Sequence, residues 1–112
     1  MQEEDDLPPR EFFDDEFAER LIGKTLLVGI THEDHNGRYL RRSQFYGRII
    51  AADRRLGVCV RSDAGEEMWF PPDTRGIKPA QPGVYRNRAT GEVVADPDYT
   101  ATWVFNSPPP IQ

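Results

Sequence analysis

The amino-acid pattern predicts a mainly β fold: a small antiparallel barrel with one short N-terminal helix and disordered ends. Three observations carry this reading. From residue 25 onward apolar residues alternate with a period of two, as on strands that bury one face. Ten prolines and nine glycines in 112 residues divide the chain into short runs and argue against a helical bundle. Gly47 lies inside a long strand-forming run, RYLRRSQFYGRIIAAD, where a bulge or bend lets one strand serve two parts of a small barrel.

A chain of this length suits one domain, with a core large enough to fold without disulfides. Its expected divisions are an acidic disordered arm (1–12), a barrel domain with its helix (13–106) and a proline-rich tail (107–112). No apolar run approaches the roughly 20 residues that span a bilayer, and the acidic start lacks a signal peptide's basic and apolar regions. These features predict a cytoplasmic protein with no membrane partner. The single cysteine, Cys59, sits in the strand-like GVCVR as a packed thiol, in keeping with a reducing compartment. Residues 1–20 carry nine acids against Arg10 and Arg20, a charge of −7, which leaves a mildly basic, arginine-dominated body at +2. Such an arm serves as a solubilising terminus, or screens the basic body by resembling a polyanion.

The elements follow in order. Asp14 or Asp15 caps a short helix on which Phe13, Phe17 and Leu21 recur every four residues, a docking face that Gly23 ends. In KTLLVGIT, Leu26, Val28 and Ile30 share one strand face. Asn36-Gly37 then predicts a two-residue type I′ turn. That turn sets His35 opposite Arg38, Asp34 opposite Tyr39, Glu33 opposite Leu40 and His32 opposite Arg41, and places Val28 against Phe45 in the core. The long return strand ends near the turn at residues 54–57. GVCVR is the next strand, residues 62–65 fit a type I turn with a glycine bulge, and EEMWF follows until Pro71-Pro72 stops it. A looser hairpin flanks NRATGE, ATWVF is the last strand, and SPPPI has polyproline character.

Two known folds resemble parts of this pattern. LIGKTLLVGI and GRIIAADRRLGVCV, over about residues 17–70, resemble the Sm-like fold, in which a glycine opens the bent half of the second strand and an aspartate closes it. The resemblance implies single-stranded RNA binding through Asp53 with Arg54 and through Arg75-Gly76, although Pro71-Pro72-Asp73 interrupts the expected strand. EEMWFPPDT is similar to the groove-forming end of SH3-type barrels, without their aromatic-rich opening motif. The whole chain, above all PPD, PGVYRNRATGEVV and PDYTATWVF, resembles a small bacterial family of uncharacterised proteins. That likeness implies no activity.

Four chemistries compete for the side chains. His32 and His35, with Glu33 and Asp34 between them, suggest a metal site, but hairpin alternation turns the imidazoles to opposite faces beside Arg38 and Arg41. No metal and no cofactor is therefore expected. Nucleophilic catalysis lacks a base beside Cys59 or a serine, and short barrel loops offer little pocket volume, so the chain is read as no enzyme. Arg38, Tyr39, Arg41, Arg42, Arg48, Arg54 and Arg55 form a basic, aromatic stretch suited to single-stranded nucleic acid, the second reading. The preferred reading is a non-enzymatic protein-interaction module. Its candidate partner-binding residues are Tyr46, Trp69, Pro71, Pro72, Tyr85 and Trp103, aromatics and prolines that line a groove. In its specific form the chain is an accessory or toxin-neutralising protein of a bacterial cytoplasm, monomeric or a small homo-oligomer, acting on a protein partner of unknown identity.

Overall fold

A computed structural model describes residues 11–87 and 90–109 of the chain. Most of the expected arm (1–10) and the end of the tail (110–112) lie outside the described residues. The fold is mainly β with one short helix. Helix α1 (Asp15–Leu21) starts where the sequence places it, because the Asp14 carboxylate accepts from the Phe17 amide at 3.1 Å. Phe13, Ala18 and Leu21 are buried, and Phe17 meets Tyr99 edge-on at 5.8 Å. The aromatic stripe is thus a docking face, as expected. Among the described residues no helix is long and apolar enough to cross a membrane.

Among the described residues eight strands follow: β1 (Thr25–Glu33), β2 (Tyr39–Asp53), β3 (Gly57–Arg61), β4 (Glu67–Phe70), β5 (Lys78–Pro79), β6 (Val84–Arg86), β7 (Val93–Ala95) and β8 (Tyr99–Asn106). Six form one sheet in the order β4-β3-β2-β1-β8-β5, while β6 and β7 form a separate hairpin. Val28 pairs with Phe45 and His32 with Arg41, the expected register. Beyond His32 a bulge shifts it, so that Glu33 faces Tyr39 instead of Leu40. The cause is the turn. Gly37 donates to the Asp34 carbonyl at 3.0 Å and Asp34 to the Arg38 carbonyl at 2.9 Å, with only Gly37 at positive φ. This is a type I turn with a glycine bulge, not the type I′ turn expected. The Asp34 side chain selects it by accepting from the Asn36 and Arg38 amides, both at 2.9 Å. Residues 62–66 repeat the geometry, as the sequence indicates there: Gly65 donates to Ser62 at 2.9 Å and Ser62 to Glu66 at 2.8 Å.

Two features depart from a closed antiparallel barrel. The last strand, β8, pairs with β1 in parallel, from Leu26 opposite Tyr99 to Glu33 opposite Asn106. The sheet also stays open, with β4 and β5 as its edges. It is nonetheless strongly curled. Four strand spacings would separate β4 from β8 by about 19 Å in a flat sheet, yet Phe70 of β4 stacks on Trp103 of β8 with centroids 4.9 Å apart. Inside the curl lie Leu26, Val28, Ile30, Ile49, Val58, Val60 and Ala101, closed below by Leu21 and Ile77.

Two local devices impose this shape. A side chain at Gly47 would run into the backbone carbonyl of Arg61, so β2 and β3 cross more closely there than any other residue permits. Just beyond, the β2–β3 register shifts between Ile49 and Ala51, a bulge that deepens the bend. At the far edge Asp98 fastens β8 to β1, its carboxylate accepting from the Thr25 amide at 2.9 Å and hydroxyl at 3.0 Å.

Gly47→Ala should lower stability by about 2–4 kcal/mol, because backbone must move to admit the methyl group. Gly76, whose Cβ position meets nothing within 4 Å, is the control. Urea midpoints will show a large loss at Gly47 and little change for Gly76→Ala. Asp98 supplies a pH test. The Thr25 amide holds its carboxyl below the ordinary value, so its contribution is complete above the unfolded value of about 4 and is lost as pH falls through the depressed folded one. Unfolding free energies measured from pH 5 to pH 2 should fall less steeply in Asp98→Asn. An unchanged slope would remove Asp98 from the clamp.

Candidate functional site

Because β3 pairs with β2 only from Arg48 to Asp53, the outer half of β2 has β1 on one side and, among the described residues, no strand on the other. The pattern of amides follows. Ile49 donates to Lys24 and accepts from Gly23, both at 2.8 Å, so odd-numbered positions from Arg41 to Ile49, between the two bulges, direct their backbone groups to β1. Even-numbered positions direct theirs away. Arg48 finds Arg61 opposite it. Arg42 and Gln44 find no strand there among the described residues.

The β6–β7 hairpin stands across this half-strand. Val93 and Val94 share a cavity with Leu27, a residue on the outer face of the sheet that is nevertheless 5% exposed. Two cavities result, of about 390 and 550 Å³. They meet at Gln44, which lines both, and together form a trough from Tyr39 to Tyr46. Its larger half holds Arg41, Arg42 and Arg86 with Tyr39, Leu40 and Ser43 and, among the described residues, no acid. Its smaller half holds Asp63, Glu66 and Glu92 with Tyr46 and, among the described residues, no base. Among the described residues none of these three guanidinium groups has a carboxylate partner; the ion pairs formed are Arg61 with Glu67 and Arg75 with Asp73, each at 2.6 Å. Tyr39, Leu40 and Val93 are each more than half exposed and give the trough apolar surface.

The sequence-derived candidates distribute unevenly over this geometry. Of the nucleic-acid set, Tyr39, Arg41 and Arg42 come together in one cavity. Arg38 is exposed at the hairpin turn, and Arg48 donates to the Gly23 carbonyl. Arg54 and Arg55 sit beyond the bend, in a turn that Asp53 holds by accepting from the Arg55 and Leu56 amides at 2.7 and 2.8 Å. Those amides keep the Asp53 carboxyl below its ordinary value. The arginine-rich strand is therefore not one continuous stripe. Of the partner-binding set, Tyr46 lines the trough. Trp103 lies inside the curl against Phe70, because its register partner Ile30 faces the core. Trp69 pairs with Cys59 on the outer face and is 46% exposed, with Pro71 and Pro72 just after it. Tyr85 donates its hydroxyl to the Gln81 carbonyl at 2.8 Å. These six residues do not form one groove.

The histidines diverge. His32 bonds Ser43 Oγ at 2.8 Å and meets Phe105 edge-on, whereas His35 is exposed in the turn. Among the described residues no three potential ligands converge. The Ser43–His32 pair has no carboxylate on its other ring nitrogen among those residues, the group that would orient a catalytic base. Cys59 is buried, and burial raises its thiol pKa, so it is a packing residue. Sequence reasoning missed Arg86, Asp63, Glu66 and Glu92, which reach the trough from separate turns and strands.

Compared with known proteins, the chain matches no family model, no curated protein and no solved structure.

Proposed function

We propose that the protein is a non-enzymatic interaction module that binds an extended segment of a partner protein by strand addition along the outer half of β2. One observation supports this above the others: Arg42 and Gln44 direct backbone groups away from β1 at the trough, where no strand meets them among the described residues. An added strand satisfies such groups, and the side chains on either hand supply specificity. The curled sheet is read, on the same footing, as an open relative of the SH3-like and Sm-like barrels. An accessory or toxin-neutralising role in a bacterial cytoplasm is compatible with this mode of binding.

A random linear-peptide library displayed on phage, selected on the full chain, tests the reading. Enriched peptides should lose binding to Gln44→Pro, which removes an outward amide while leaving the β1–β2 ladder intact. Near-unchanged thermal unfolding of that variant will show that the fold survives. Enriched peptides that bind it undiminished would place the binding elsewhere.

Single-stranded nucleic acid is the second reading, favoured by Tyr39, Arg41, Arg42 and Arg86 around one cavity. Labelled oligonucleotides titrated between 50 and 200 mM salt decide it. We expect no measurable affinity at physiological salt. Binding with a steep salt slope, about 0.7 per neutralised phosphate, that weakens in Arg42→Ala would replace the peptide reading.

A further inference from the structure

We infer that the segment bound in the trough is charge-segregated, basic toward its N-terminal end and acidic toward its C-terminal end, and runs antiparallel to β2. This rests on the strand-addition reading above and deepens it. The trough is polar along its length: Arg41, Arg42 and Arg86 surround the Tyr39 end, and Asp63, Glu66 and Glu92 the Tyr46 end. Neither group is neutralised by an opposite charge among the described residues. An occupant with one sign of charge throughout meets repulsion over half its length, which disfavours a polyanion.

Direction follows from the neighbouring strand. β3 runs antiparallel to β2 and leaves it at Arg61, opposite Arg48, turning away through residues 62–66. The occupant takes the place that β3 vacates. Entering in the same sense, it starts beside Asp63 and Glu66 and ends beside Arg41 and Arg42. Antiparallel addition also has the better hydrogen-bond geometry. From Tyr39 to Tyr46 the trough spans about 23 Å at 3.3 Å per residue, enough for seven or eight extended residues. A second copy of this chain is the competing occupant, since a two-fold axis near Gln44 brings Arg42 of one copy toward the acidic end of the other; elution of the full chain as a dimer that binds none of the peptides below would overturn the inference.

Three synthetic peptides of identical composition test the inference, each about nine residues long with a Val/Thr centre. One carries lysines first and glutamates last, one has the reverse order, and one interleaves them. Fluorescence anisotropy with the full chain should rank the lysine-first peptide about tenfold tighter than either other, the sum of several cross-strand charge pairs. That advantage should vanish in the Arg42→Glu/Arg86→Glu variant and all binding should fall in Gln44→Pro. Equal affinities for the three peptides, all lost in Gln44→Pro, would overturn the charge order and leave strand addition standing. A preference for the glutamate-first peptide would overturn the direction. No binding by any peptide would sink strand addition itself.

Discussion

The close crossing of β2 and β3 at Gly47 governs the rest of the molecule. A methyl group there would meet the Arg61 carbonyl, so the two backbones approach as only glycine permits. With the bulge that follows between Ile49 and Ala51, the crossing bends a 15-residue strand into two halves that serve different purposes. The inner half carries β3 and, beyond it, β4 over the concave face, so that Val58, Val60 and Phe70 land on Val28 and Ala101. The outer half is left with a single neighbour. Core closure and the unpaired edge thus have one origin, and a mutation that straightened β2 would disturb both.

Aromatic packing completes what the bend begins. Phe70 stacks on Trp103 and also contacts Phe45 and Phe105, with centroids 6.3 and 6.0 Å away. Those rings come from β4, β2 and β8, so they tie both flanks of the open sheet together without backbone hydrogen bonds between the flanks. The parallel strand β8 is held at both ends, by Asp98 on Thr25 and by Ser107 donating to the Glu33 carbonyl at 2.8 Å. The pairing of β8 with β1 therefore depends on contacts between residues more than 70 positions apart. Closing so long a loop adds little entropy beyond that of a shorter one, but the strands between must find their places first.

How far the sequence discloses this can be judged residue by residue. The Asn36-Gly37 turn placed Val28 opposite Phe45, and the pairing holds although the turn differs from the one expected, because the bulge beyond His32 offsets the change and burial of one face fixes register wherever the strand is flanked by core. At the hairpin tip, where no core lies beneath, the Asp34 carboxylate decided the turn and shifted Glu33 by one partner. The parallel pairing of β8 left no local mark; a strand joining its neighbour across seventy residues looks the same as one joining it through a hairpin. Half of the candidate site was legible for the same reason. Tyr39, Arg41 and Arg42 are near neighbours in sequence, but Arg86, Asp63, Glu66 and Glu92 arrive through two other hairpins, and only the folded sheet brings them together. Trp103 misled because large aromatics on a strand are equally at home inside and out; its parity with Ile30 across β1 and β8 is what turns it inward.

An open sheet must keep its edges from pairing at random. Here β4 is four residues long, and β5 is two residues long with Pro79 unable to donate. Both true edges are too short to recruit another chain. The outer half of β2 is long enough, and it is not blunted by brevity or proline. Its protection is charge, with Arg42 on the edge and Arg41 beside it, and charge differs from the other devices in being conditional. Like charges set directly opposite one another on paired strands are destabilising, whereas opposite charges attract. Two edges of the sheet are thus blunted by brevity and proline, while the outer half of β2 carries charge instead.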